Sequence, residues 1–173
     1  GHPAGQALLR RFQAGGGTLY DLEYIVDADR RRVAAFGYWA GYAGAAVALK
    51  CWAAQQRGAL AGAVATYPSA NHMLADLQSD LVSTGTHRPT ALIIGALGRV
   101  GTGAADLCTA MGVPTTRWDM AETAHGGPFP YVLEHDLFFN CILARPGTPF
   151  FVPASAPHAA RRRSVIGDIA CDP

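Results

Sequence analysis

The stretch Thr90-Ala-Leu-Ile-Ile-Gly95-Ala-Leu-Gly98-Arg-Val-Gly101-Thr-Gly-Ala104 leaves the chain few ways to fold. An apolar β run enters a glycine turn and leaves as an alanine-rich helix. A strand that is apolar throughout, rather than at alternate positions, has to be covered on both faces, which is the habit of a parallel sheet. The spacing gives each glycine a task. Gly95 lets the strand turn sharply, Gly98 lets backbone N–H groups approach a pyrophosphate at the positive end of the helix, and Gly101 lets that helix pack close on the strand. The usual dinucleotide fingerprint is G-x-G-x-x-G, and here the turn is one residue longer. A glycine turn between a strand and a helix can also be purely structural.

The rest of the chain fits the same plan. Residues 115–119, 137–143 and 164–170 read as further strands, the last two mainly apolar. Helical patterns run over 40–56, over 70–83 behind a Ser69 cap, and over 98–111. A short helix is expected at 130–134 and a helical turn at 155–160. Ahead of these, residues 4–13 read as a helix end stopped by Gly15-Gly16-Gly17, residues 18–26 as a strand, 27–30 as a turn and 31–36 as a returning strand. The expected fold is α/β: a Rossmann-like, doubly wound, mostly parallel sheet with an N-terminal β-arm. Residues 1–36 would form the helix end and arm, and 37–173 the nucleotide-binding domain.

Asp119 follows the next strand, 18 positions beyond Gly101. In a Rossmann unit a carboxylate there takes the ribose hydroxyls and repels a 2′-phosphate, so NAD is predicted over NADP. The plainer reading of Asp119 is a helix-cap or turn aspartate. Composition narrows the partners. A formal charge of +1 over 173 residues offers no field for a polyanion, and no apolar run is long enough for a transmembrane helix, which points away from nucleic acid and membranes. Cys51, Cys108, Cys141 and Cys171 show no C-x-x-C spacing, which predicts reduced thiols in a cytoplasmic protein and no metal site. Of fourteen basic side chains only Lys50 is a lysine, and it lies in a helix whose other residues point to packing.

Several blocks then recur in a fixed order: Gly16-Gly-Thr-Leu-Tyr-Asp-Leu-Glu23, Arg31-Arg-Val-Ala-Ala-Phe-Gly37, Ala40-Gly-Tyr-Ala-Gly-Ala-Ala46, Leu92 to Arg99, Trp118-Asp119, Glu122-Thr123, Gly126-Gly-Pro-Phe129 and Asn140-Cys-Ile142. Together they resemble the saccharopine dehydrogenases that form L-lysine with NAD, from about Ala4 to Asp172. The resemblance implies oxidative deamination of saccharopine to lysine and 2-oxoglutarate, with hydride passing to NAD. It implies cofactor contacts at Arg31, Gly95, Leu97, Gly98, Arg99, Val100, Asp119, Thr123, Leu143 and Ile169. Substrate contacts are implied at Arg32, Phe36, Ala170, Cys171 and Asp172, the guanidinium suiting a carboxylate. Glu23 matches a carboxylate near the family's catalytic centre.

The family's catalytic lysine and histidine match nothing in this chain. Among the histidines, His72, His87, His125, His135 and His158 read as loop or helix-surface residues. The opening Gly1-His2-Pro3 and the close after the last strand read as an excised piece of a longer protein. The chain alone is therefore expected to bind nucleotide without turning over saccharopine, and to self-associate through apolar residues of the arm and last strand. The rival readings are a related alanine dehydrogenase or transhydrogenase NAD domain, and a non-catalytic NAD-binding module.

Overall fold

A computed structural model describes residues 3–144, 147–156 and 165–169. The chain divides into two compact units, Gly1–Phe36 and Gly37–Pro173.

In the first unit, helix α1 spans Pro3–Ala14 and ends in the glycine run. The strand expected over 18–26 does not form. Instead Leu22–Tyr24 make a 3-10 turn, because the Asp21 carboxylate accepts the Glu23 N–H at 2.9 Å and diverts the backbone from a ladder. A second aspartate closes the next turn: Asp27 Oδ1 accepts the Arg31 N–H at 2.8 Å, with Arg30 in the left-handed region at φ 62°. Among the described residues the β-arm is reduced to one antiparallel bridge, Val26 to Arg32.

The second unit holds the sheet. Strands β1 (Ala91–Ile94), β2 (Thr115–Trp118), β3 (Leu137–Asn140) and β4 (Val165–Asp168) lie in the order β2-β1-β3-β4, all parallel. Ile94 is in register with Trp118 on one side and Asn140 on the other, and Asn140 with Asp168. The architecture is Rossmann-like α/β. Strands β3 and β4 are shorter than the apolar runs suggested, β3 giving way at Asn140, whose polar side chain bonds across the strand ends.

Helices α2 (Gly37–Gln56), α3 (Ala70–Val82) and α4 (Arg99–Ala110) cover one face, where Ala91, Ile93 and Phe139 meet Leu49, Trp52, Leu77 and Leu107. The other face, from Leu92, Ile94 and Phe138, is covered by Val132 of a 3-10 helix at Pro130–Glu134 and by Phe129 and Phe151. Both faces of β1 are thus buried, which accounts for its unbroken apolar sequence. On the helical face α2 and α4 touch backbone to backbone: a Cβ at Gly41 would stand 1.8 Å from the Val100 carbonyl oxygen. Gly41→Ala is expected to push the helices apart and cost at least about 2 kcal/mol in denaturant unfolding, as overpacking does.

Lys50 joins α2 to α3. Its ammonium donates to Asp76 at 2.6 Å and Asp80 at 2.7 Å, and Tyr67 donates to Asp76 as well. Burial acts to lower the Lys50 pKa, but the two carboxylates outweigh it and hold it above its ordinary value. Hydrogen bonds from Lys50 and Tyr67 hold Asp76 below 3.8. The Asp76 contribution is therefore complete above pH 4 or so and fades as pH falls through its lower native value. The Lys50 contribution is complete below its ordinary pKa and is lost only as pH rises past the raised one. Lys50→Met is expected to cost about 1–2 kcal/mol at pH 7, discounted because Asp76 is half exposed. In thermal melts the gap from the unsubstituted chain should narrow below about pH 4.

Candidate functional site

The chain leaves β1 to one side to form β2 and returns to the other side to form β3, so the strand order reverses at the carboxyl end of β1. Ligands of open α/β sheets bind in the crevice at such a switch point. The glycine turn stands there. Gly95 has φ 84°, and a Cβ on it would meet Ile142 Cγ2 at 2.5 Å. The N–H groups of Gly95 and Ala96 both donate to the Trp118 carbonyl, at 2.9 and 3.0 Å, and moor the turn to the end of β2.

Gly98 is the N-cap of α4 and supplies no side-chain cap, and the first turn of α4 contains no acidic residue. The N-cap of this helix thus makes no side-chain hydrogen bond at its positive end. Gly101 sets its position: a Cβ there would lie 2.1 Å from the Gly95 carbonyl oxygen. Leu97 is exposed at the tip of the turn, Arg99 opens α4, and Val100 is half buried against the core.

Asp119 stands beside this turn, and its plainer reading, as a helix cap, is met. Its Oδ1 accepts the Met120 N–H at 2.9 Å and Glu122 accepts the Asp119 N–H at 2.7 Å, a capping box that starts helix α5 (Met120–Thr123). Its Oδ2 accepts the Leu97 N–H at 2.9 Å, so the carboxylate also grips the glycine turn. Each carboxylate oxygen has a further lone pair. Thr123 is placed at the far end of α5, its hydroxyl donating to the Asp119 carbonyl at 2.8 Å. Helix α5 was not expected, although Asp119-Met-Ala-Glu122 is the D-x-x-E spacing of a capping box.

At the ends of β3 and β4, Leu143 is exposed, and Ile169 is half buried with its N–H donating to the Asn140 carbonyl at 3.0 Å. Asn140 Nδ2 donates to Asp168 Oδ1 at 3.0 Å, a polar pair that the sequence reading did not single out. Ala170, Cys171 and Asp172, three of the expected substrate contacts, lie outside the described residues. In the N-terminal unit Arg32 and Glu23 are brought together: the guanidinium donates to Glu23 at 2.6 Å, with both side chains about half exposed. Such a pair is weak enough for a carboxylate ligand to compete with. Arg31 closes the Asp27 turn through its backbone, and Phe36 is exposed at the end of the unit.

One surface expectation is corrected. His135 is buried, with Nε2 at 2.9 Å from the Thr116 hydroxyl and Nδ1 at 3.3 Å from the Tyr131 carbonyl, because it follows the 3-10 helix into the sheet. His158 lies outside the described residues. Burial pushes the thiols of Cys108 and Cys141 up to about 12, so neither supplies a thiolate near neutrality. Native alkylation at pH 8 followed by peptide mass spectrometry should leave both unmodified while labelling the half-exposed Cys51. Modification of Cys108 or Cys141 without unfolding would show the core to be looser than described.

No protein-family model matches the sequence. Curated relatives do. The chain is 46% identical over 176 residues to the NAD(+), L-lysine-forming saccharopine dehydrogenase of Yarrowia lipolytica, covering 95% of this chain and 47% of that protein. It is 40% identical over 188 residues to the enzyme of that name from Candida albicans, covering 96% of this chain and 49% of the relative. With that of Schizosaccharomyces pombe the identity is 41% over 175 residues, 95% and 48%. The chain spans about half the length of the curated relatives it matches. Over that span, at identities of 40–46%, it is a homologue of the NAD(+), L-lysine-forming saccharopine dehydrogenases.

Proposed function

We propose that the α/β unit binds NAD and is the cofactor-binding part of an oxidoreductase that deaminates saccharopine to L-lysine and 2-oxoglutarate. The observation that carries this is the uncapped start of α4, held on a glycine turn, with the Asp119 carboxylate beside it at the end of β2. An anion fits the first and a ribose diol the second. The cradle is shaped for close approach, since a Cβ at Gly95 or Gly101 would collide with the surrounding backbone and side chains.

In this reading the backbone of Gly95, Leu97, Gly98 and Val100, with Arg99, receives the pyrophosphate. Asp119, with Thr123 next to it, orients the adenosine ribose. Leu143 and Ile169 line the nicotinamide side across the switch point; for Arg31, in the other unit, a cofactor contact rests on the resemblance alone. The resemblance also assigns substrate contacts to Arg32 and Phe36, with Glu23 a supporting carboxylate, in the N-terminal unit, and separately to Ala170, Cys171 and Asp172. Bound there, NAD would supply the hydride acceptor for the oxidation. The proton on the substrate nitrogen is taken by a lysine–histidine pair that this chain does not supply, so the chain alone binds the cofactor and does not oxidise saccharopine. A reducing, cytoplasmic setting is supported by the four cysteines, none of them in C-x-x-C spacing.

Calorimetric titration tests the cofactor choice: NAD should bind more tightly than NADP, because a 2′-phosphate would meet the Asp119 carboxylate. Asp119→Ala should weaken NAD by about 1–3 kcal/mol, the scale for hydrogen bonds to a charged group. Glu122→Ala separates the two jobs of Asp119, since it breaks the capping box and lowers thermal stability while leaving the preference for NAD. Equal or reversed affinity for the two dinucleotides would overturn the assignment.

Activity is tested by following NADH formation from saccharopine and NAD. No turnover is expected from this chain, and turnover should appear when a chain carrying the missing catalytic pair is added. Turnover by the chain alone would place a base within it, with Lys50, His125 and His135 the first residues to substitute.

A further inference from the structure

Three hydrogen bonds converge on one side chain and its carbonyl at the carboxyl edge. Asn140 Oδ1 accepts the Ile142 N–H at 3.4 Å, Asn140 Nδ2 donates to Asp168 Oδ1 at 3.0 Å, and the Asn140 carbonyl accepts the Ile169 N–H at 3.0 Å. The two residues reached from β3 and β4 have further contacts. Ile142 is the side chain that a Cβ on Gly95 would strike first, so it forms the floor beneath the glycine turn. Ile169 lies against Gly44 of α2, where a Cβ would meet it at 2.8 Å.

Asn140 therefore links the turn at the end of β1 to the ends of β3 and β4. An asparagine suits the post because one amide both donates and accepts. Leucine or alanine could do neither, and an aspartate would set two carboxylates about 3 Å apart.

We propose that Asn140 and Asp168 are positioning residues of the dinucleotide site: they fix the segments after β3 and β4 so that the glycine turn and the nicotinamide-side residues keep one geometry. The inference rests on the NAD reading above. If Asp119 takes the adenosine ribose at the end of β2, the other nucleotide extends across the switch point toward β3 and β4, where this pair stands. Neither residue need touch the cofactor for this role.

The test compares Asn140→Asp, Asp168→Asn and the double exchange N140D/D168N, which restores an amide facing a carboxylate with the partners reversed. Two measurements are made on each: NADH affinity by fluorescence titration, and amide hydrogen exchange at Ile142 and Ile169 relative to Leu92 and Ile93 in β1. Asn140→Asp should weaken NADH by about tenfold and speed exchange at Ile142 and Ile169 while β1 stays protected. Asp168→Asn, which keeps an amide–amide pair, should change affinity by less than about threefold. The double exchange should recover most of both losses.

A merely structural role would move exchange or melting temperature and leave NADH affinity untouched, and that result overturns the proposal. So does an Asn140→Asp variant whose affinity and exchange both match the unsubstituted chain, or a double exchange that rescues neither. If the unsubstituted chain binds no NADH, the NAD reading falls and takes the cofactor role of the pair with it. The exchange data would then still report whether Asn140 holds the two strand ends together.

Discussion

The carboxyl edge of this molecule depends on how close the first turn of α4 comes to the end of β1. Gly101 rests on the Gly95 carbonyl, with no room for even one added carbon, and Gly41 brings α2 onto the far side of the same helical turn at Val100. A helix held this near a strand has its start fixed in height and direction by backbone contacts rather than by side-chain rotamers. The charge at its N-terminus is therefore aimed by the fold itself, the kind of preorganisation that in general lowers the ordering cost of binding. The Trp118 carbonyl and the Asp119 carboxylate complete the arrangement by holding the turn from the β2 side.

The two halves of the molecule differ in what holds them. The α/β unit buries a continuous apolar core on both sides of β1 and β3, and α3 is fastened to α2 by the Lys50 clip. In the N-terminal unit the 3-10 turn has no buried residue, and the following segment is organised by short-range bonds from Asp21 and Asp27 to neighbouring backbone. Local side-chain bonds of this kind fix turns well and sheets poorly, since each one occupies a backbone group that a ladder would use.

That contrast explains what the sequence made legible. The parallel sheet could be read from β1 and β3 because burial on both faces is written directly in the apolar runs Ala91–Ile94 and Leu137–Phe139. The glycine turn could be read because steric exclusion at Gly95 and Gly101 admits one residue type only. The β-arm misled: Leu19, Leu22, Tyr24 and Val26 approach strand alternation, yet Asp21 and Asp27 sit where their carboxylates reach the backbone first. His135 passed for a surface residue because its two partners, the Thr116 hydroxyl and the Tyr131 carbonyl, meet it only in the fold. The Asn140–Asp168 pair joins residues 28 positions apart, a separation at which no local pattern signals contact. Helix α5 was missed despite its D-x-x-E spacing, because the same aspartate was read first as a ribose ligand.

The double duty of Asp119 has a thermodynamic consequence. One carboxylate caps a four-residue helix and grips the tip of the glycine turn, so the stability of α5 and the shape of the turn are not independent quantities. Any molecule that draws on the remaining lone pairs of that carboxylate changes the strength of both bonds, and by reciprocity whatever tightens α5 changes the affinity for that molecule by the same factor. A short surface helix that would hardly persist by itself thereby becomes an adjustable spring on the carboxyl edge. A substitution at Ala121, whose side chain enters none of these hydrogen bonds, can shift that balance through helix propensity alone.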